Sequence, residues 1–103
     1  VLLDIGKMNN KIQETLDILQ EECAELIVEV SKCRRFGLES MHYRTQIPHN
    51  QMLTNEMGDV LAMIDILIDQ GLVDRLSLDK AKQVKKEKLR TWSNIFKENA
   101  NAN

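Results

Sequence analysis

The sequence predicts an all-α protein, a helical bundle of three main helices per chain completed by oligomerisation. Three observations carry that expectation. The 103 residues include only four glycines and one proline, too little turn material for a sandwich or barrel of many short strands. Apolar residues recur at helical spacing in three long stretches separated by glycine or proline. A chain this short buries only about two-thirds of its unfolded surface, so a second copy would help fill the core. Residues 1–98 read as a single domain and 99–103, Asn-Ala-Asn-Ala-Asn, as a flexible tail.

The first helix is expected over residues 10–35, stopped by Gly37, and its apolar arc holds Leu16, Leu19, Cys23, Leu26, Ile27, Val30 and Cys33. The second is expected after Pro48, with Asn50 as N-cap, and to end at Gly71. Its arc holds Met52, Leu53, Met57, Val60, Leu61, Met63, Ile64, Leu67 and Ile68. The third is expected from Ser77, as N-cap, to about residue 97, with Leu78, Ala81, Val84, Leu89, Trp92, Ile95 and Phe96 on its apolar face. Residues 38–49 form a connecting loop in which His42 and His49 read as surface residues without a role.

Composition excludes several functions. A net charge of −2 argues against a general nucleic-acid binder, and 4% aromatics leave no stacking platform for single strands. No apolar run approaches the ~20 residues of a membrane span. The opening Val1-Leu2-Leu3-Asp4-Ile5-Gly6-Lys7 lacks the charged start of a signal peptide, and Met8 reads as the natural start. Cys23 and Cys33, too far apart on one helix to bridge, read as reduced, buried small hydrophobes in a cytoplasmic protein.

The informative residues are acids. Glu21, Glu22, Glu25 and Glu29 share one arc of the first helix with Lys32 as their sole cation, either a solvated face or a site. Glu56 falls near the middle of the second helix's apolar arc and Asp59 to one side of it, one turn apart. Two acids on a buried stripe are costly unless a cation or donors compensate them. A lysine of the third helix is one such compensation. The other is a metal: if the first two helices pack antiparallel, the acidic pairs converge in a cage of carboxylate oxygens. Such a cage suits Mg²⁺ or Mn²⁺ and disfavours zinc. Lys85 and Lys88 fall inside the third helix's apolar arc, either snorkelling at its edge or reaching toward the acids or substrate phosphates. The string Glu39-Ser40-Met41-His42 matches a di-iron Glu-x-x-His motif only once and lies outside the helices.

Glu21-Glu22-Cys23-Ala24-Glu25, followed by Glu56-Met57-Gly58-Asp59-Val60-Leu61, resembles the E-E-x-x-E … E-x-x-D signature of the MazG-like all-α nucleoside triphosphate pyrophosphohydrolases. These are related to dCTP pyrophosphatases, dimeric dUTPases and phosphoribosyl-ATP pyrophosphohydrolases. The resemblance spans residues 10–96 and implies a four-helix-bundle core assembled from two or four chains. It implies Mg²⁺-dependent splitting of a nucleoside triphosphate into monophosphate and pyrophosphate, a house-cleaning of nucleotide pools. By that likeness Glu22, Glu25, Glu56 and Asp59 are metal ligands, Glu21 orients or deprotonates water, and Lys85 and Lys88, with Arg90 behind them, or Lys32 meet phosphates. Phe36, Tyr43 and Trp92 are candidates for a base pocket. A non-catalytic regulatory dimer that binds a nucleotide or protein is the alternative; a nucleic-acid-binding bundle using the basic third helix is the more distant one.

Overall fold

A computed structural model describes residues 9–98; the expectations for the opening seven residues, for Met8 and for the 99–103 tail lie outside the described residues. Three helices occur among them: α1 (Asn10–Phe36), α2 (His49–Asp69) and α3 (Arg75–Trp92). The described residues otherwise hold turns and one isolated bridge between Met41 and Pro48. No described helix is long and apolar enough to cross a membrane.

Each helix end has a local cause. Asn9 Oδ1 accepts the Ile12 N–H at 2.8 Å and starts α1. Gly37, at φ 95°, stops it. The end of α2 is a Schellman turn: Gly71, at φ 80°, donates to the Ile68 carbonyl and Leu72 to that of Leu67.

Two helix starts differ from expectation. α2 begins at His49, and no side chain caps it. None is needed, because the connecting loop supplies carbonyls: His49 N–H donates to Ser40 and Asn50 N–H to Leu38. α3 begins at Arg75, with Asp74 as N-cap; Ser77, expected to be the cap, instead donates its N–H and hydroxyl to the Asp74 carboxylate. These bonds hold the Asp74 carboxyl below its ordinary range. α3 also ends sooner than the expected residue 97. Ser93 is extended there, and both its N–H and its hydroxyl donate to the Leu89 carbonyl.

By its internal contacts the chain divides into two compact units after Leu72. In the first, α1 and α2 form an antiparallel hairpin. Thr15 near the start of α1 accepts a hydrogen bond from Gln70 after α2, while Glu29 late in α1 meets His49 at the start of α2. The seam follows alternating steps of three and four: Ile12, Thr15, Leu19, Glu22, Leu26, Glu29 and Cys33 on α1 are buried or half-buried. On α2 the matching line is His49, Leu53, Glu56, Val60, Met63 and Leu67, continued by Gln70 at its C-cap.

The packed line of α1 therefore runs along the border between its apolar and acidic arcs rather than down the apolar one. Cys23, expected to be buried, is exposed, as are Ile27 (70%) and Val30 (40%) of the same arc. Cys33 is buried as expected. The second unit is α3 with the turns that follow it, and α3 buries no residue.

Candidate metal centre

The rotation of α1 that exposes Ile27 brings its acids to the seam. Glu22 and Glu25 lie one turn apart on α1, Glu56 and Asp59 one turn apart on α2, and antiparallel packing sets the pairs side by side. One carboxylate oxygen from each of the four lies within 4.8 Å of all the others. Glu22 and Glu56 are half-buried on the seam, whereas Glu25 and Asp59 face solvent beside it.

The group is electrostatically unfinished. Glu22 Oε2 and Glu56 Oε2 are secluded from solvent and have no hydrogen-bond partner. Burial pushes the Glu22 carboxyl above its ordinary range, and the charges of Glu25, Asp59 and Glu56 push it further. Glu56 is raised by burial first, then by Glu25 and Asp59, with Glu29 adding to the effect. An all-oxygen donor set with two orphaned oxygens, in a field that favours positive charge, fits a hard divalent cation such as Mg²⁺ or Mn²⁺.

The other expected site residues fall in different places. Lys32 is half-buried two turns beyond Glu25, and with Glu25, Glu29 and Glu56 it lines a cavity of about 310 Å³ beside the cluster. Glu21 is exposed and is not among the converging carboxylates. Lys85 and Lys88 belong to the second unit, where they line a cavity of about 500 Å³ with Ala81 and Val84. Trp92 is exposed at the end of the same helix.

One pair was not foreseen. His49, expected to be a surface loop residue, is 3% exposed, and its Nδ1 lies 3.1 Å from Oε1 of Glu29, itself 3% exposed. The Phe36 ring stacks on the imidazole with centroids 5.6 Å apart, and the Cys33 thiol donates to the His49 carbonyl at 3.5 Å. A signal for this pair exists in the sequence. Once Glu22 is set opposite Glu56 in antiparallel order, two turns onward in α1 and two turns back in α2 lead to Glu29 and His49. No protein-family model, curated protein or solved structure matches the chain.

Proposed function

We propose that this chain is a Mg²⁺-dependent nucleotide pyrophosphohydrolase of the MazG-like kind, cleaving a nucleoside triphosphate to the monophosphate and pyrophosphate. The observation that supports it is the convergence of four carboxylates from two helices, two of whose oxygens are buried without a partner. Glu22, Glu25, Glu56 and Asp59 would hold the ion, which when bound neutralises phosphate charge and makes water easier to deprotonate.

The chain's own groups do the rest. The seam fixes Glu22 and Glu56, so the carboxylates need little reorganisation as charge develops on the substrate. Lys32 places an ammonium beside the same cavity, where it offsets charge on the phosphates. Glu21, exposed beside Glu22, orients the attacking water and takes its proton. Water adds across one phosphoanhydride bond and pyrophosphate departs.

Self-association, as homodimer or homotetramer, belongs to the same reading. Measured around each helix from the seam, Glu25 and Asp59 lie to one side, while Ile27, Val30, Met57 and Leu61 lie to the other and are exposed. A second copy covering that apolar side would complete a four-helix core without obstructing the acids. The cytoplasm, where nucleotide pools need adjusting, is the location that this role implies.

The test is a panel of nucleoside triphosphates with Mg²⁺, scored for pyrophosphate against orthophosphate. Pyrophosphate from at least one substrate, lost on chelation, is expected. Saturable Mn²⁺ binding with no product from any nucleotide would instead favour a non-catalytic, nucleotide-binding regulatory dimer, a reading supported by the position of Glu21 outside the carboxylate group.

A further inference from the structure

We infer that the buried Glu29–His49 pair is a positioning device: it fixes the register of α1 against α2 and so holds Glu22, Glu25, Glu56 and Asp59 ready for a divalent cation. The inference rests on the reading of those four acids as a metal centre. Neither Glu29 nor His49 is among the converging carboxylates, so the pair acts on the ion only through the helices. Equal spacing ties it to the site. Glu22 and Glu29 are seven residues apart on α1, and His49 and Glu56 are seven apart on α2. Both intervals are two helical turns, about 10 Å. In an antiparallel hairpin, the axial offset that brings His49 to Glu29 is therefore the one that brings Glu56 to Glu22. The apolar residues of the seam do not select that offset. Ile12, Leu19, Leu26 and Cys33 recur every seven residues on α1, as Leu53, Val60 and Leu67 do on α2. A packing slipped by one repeat still sets apolar against apolar, but it places Glu29 opposite Glu56 and takes His49 off its carboxylate. Excluding such slips is the best-attested use of a buried polar pair.

The fastening is directional on a finer scale too. His49 Nδ1 and Glu29 Oε1 are 3.1 Å apart, and a single proton on either partner joins them. The His49 carbonyl accepts the Cys33 thiol and its ring stacks on Phe36, so the first residue of α2 is located against three residues of α1. Its N–H donates to the Ser40 carbonyl of the loop. At the far end of the seam, Gln70 Nε2 donates to Thr15 Oγ1 at 2.9 Å. The four acids lie between these two polar fastenings, in the stretch where their mutual repulsion would part the helices. Apolar contact has no preferred angle, whereas a hydrogen bond does, and a metal site needs its ligands within about 0.5 Å of their working positions.

The experiment compares two variants of the whole chain that lose the same carboxylate. Glu29→Gln keeps a hydrogen-bonding partner for the imidazole and so measures the loss due to charge alone. Glu29→Met with His49→Leu fills the layer with apolar side chains and removes the bond; urea unfolding followed by circular dichroism checks that it folds. Mn²⁺ affinity is read by EPR, and Ca²⁺ affinity by competition with Mn²⁺. The apolar pair is expected to bind Mn²⁺ about tenfold more weakly than Glu29→Gln does, the size of effect that follows loss of a group supporting a metal ligand. The loss for Ca²⁺ is expected to be smaller, because its looser coordination tolerates displaced ligands. An Mn²⁺ affinity equal to that of Glu29→Gln, or equal losses for the two ions, overturns the inference and leaves the hydrolase reading intact. Absence of Mn²⁺ binding by the wild type overturns both. Glu29→Leu with His49→Phe, which keeps a ring against Phe36, is a second apolar pair and is read in the same way.

Discussion

Two stretches of one helix seam treat a carboxylate in opposite ways. At Glu29 the chain supplies the partner itself, a histidine 3.1 Å away in the same buried layer, and the pair is closed. One to two turns nearer the start of α1, Glu22, Glu25, Glu56 and Asp59 face one another, and two of their oxygens have no partner at all. Both arrangements sit between the same two helices. The same scaffold completes one acid internally and leaves four to be completed from outside, and that contrast makes the four a candidate site rather than a quirk of packing.

The contrast breaks most severely at Glu56. Glu56→Gln is expected to reduce pyrophosphate release by at least about a hundredfold, as loss of a charge-stabilising group in an active site commonly does. It is also expected to raise the melting temperature of the metal-free protein, because one member of a mutually repelling set becomes neutral. A purely structural acid would give the reverse, so a lower metal-free melting temperature with unchanged Mg²⁺-dependent turnover would remove the site. At the closed end, His49→Ala strands a buried carboxylate and is expected to cost about 3 kcal/mol in urea unfolding followed by circular dichroism. Replacing both partners, Glu29→Met with His49→Leu, is expected to restore most of that loss, since an apolar pair leaves no charge uncompensated.

Acidity sharpens the comparison at the open end. Glu22 and Glu56 carry folded-state values above the ordinary 4.5, so between 4.5 and those raised values the folded protein binds more protons than the unfolded chain. Stability of the metal-free protein should therefore rise as pH falls through that window, with no further gain from these groups below 4.5. Saturating Mn²⁺ competes with the protons and is expected to reverse the slope, which melting curves from pH 8 to pH 5 with and without the ion would record. The smallest expected effect lies in the other unit. Asp74→Ala removes the α3 cap and should cost about 1 kcal/mol of helix stability, while wild-type α3 should lose the cap's contribution as acid protonates Asp74.

The helices and the four acids were legible because both depend on spacing within a helix. Glu22 with Glu25, and Glu56 with Asp59, each fall one turn apart, and Gly37 and Gly71 mark where their helices stop. What could not be read depends on contacts between segments. The N–H groups of His49 and Asn50 are capped by loop carbonyls, so no cap residue appears in the sequence where α2 begins. A hydrophobic wheel sets Cys23 and Ile27 inward, yet the hairpin packs along the boundary of that arc and leaves both exposed. The Glu29–His49 pair spans twenty positions of chain and becomes visible only after the antiparallel order is assumed.

The way the loop fastens α2 has a consequence for sequence change. Leu38 and Ser40 hold the first two amides of the helix, and the His42 N–H to Ile47 carbonyl bond then shuts off a short tip. Inserted residues between positions 43 and 45 would enlarge only that tip. A single insertion between 38 and 40 would put the Leu38 and Ser40 carbonyls out of step with the Asn50 and His49 amides, loosening the helix start where His49 meets Glu29. Divergence among natural variants should therefore accumulate at the tip and spare its base.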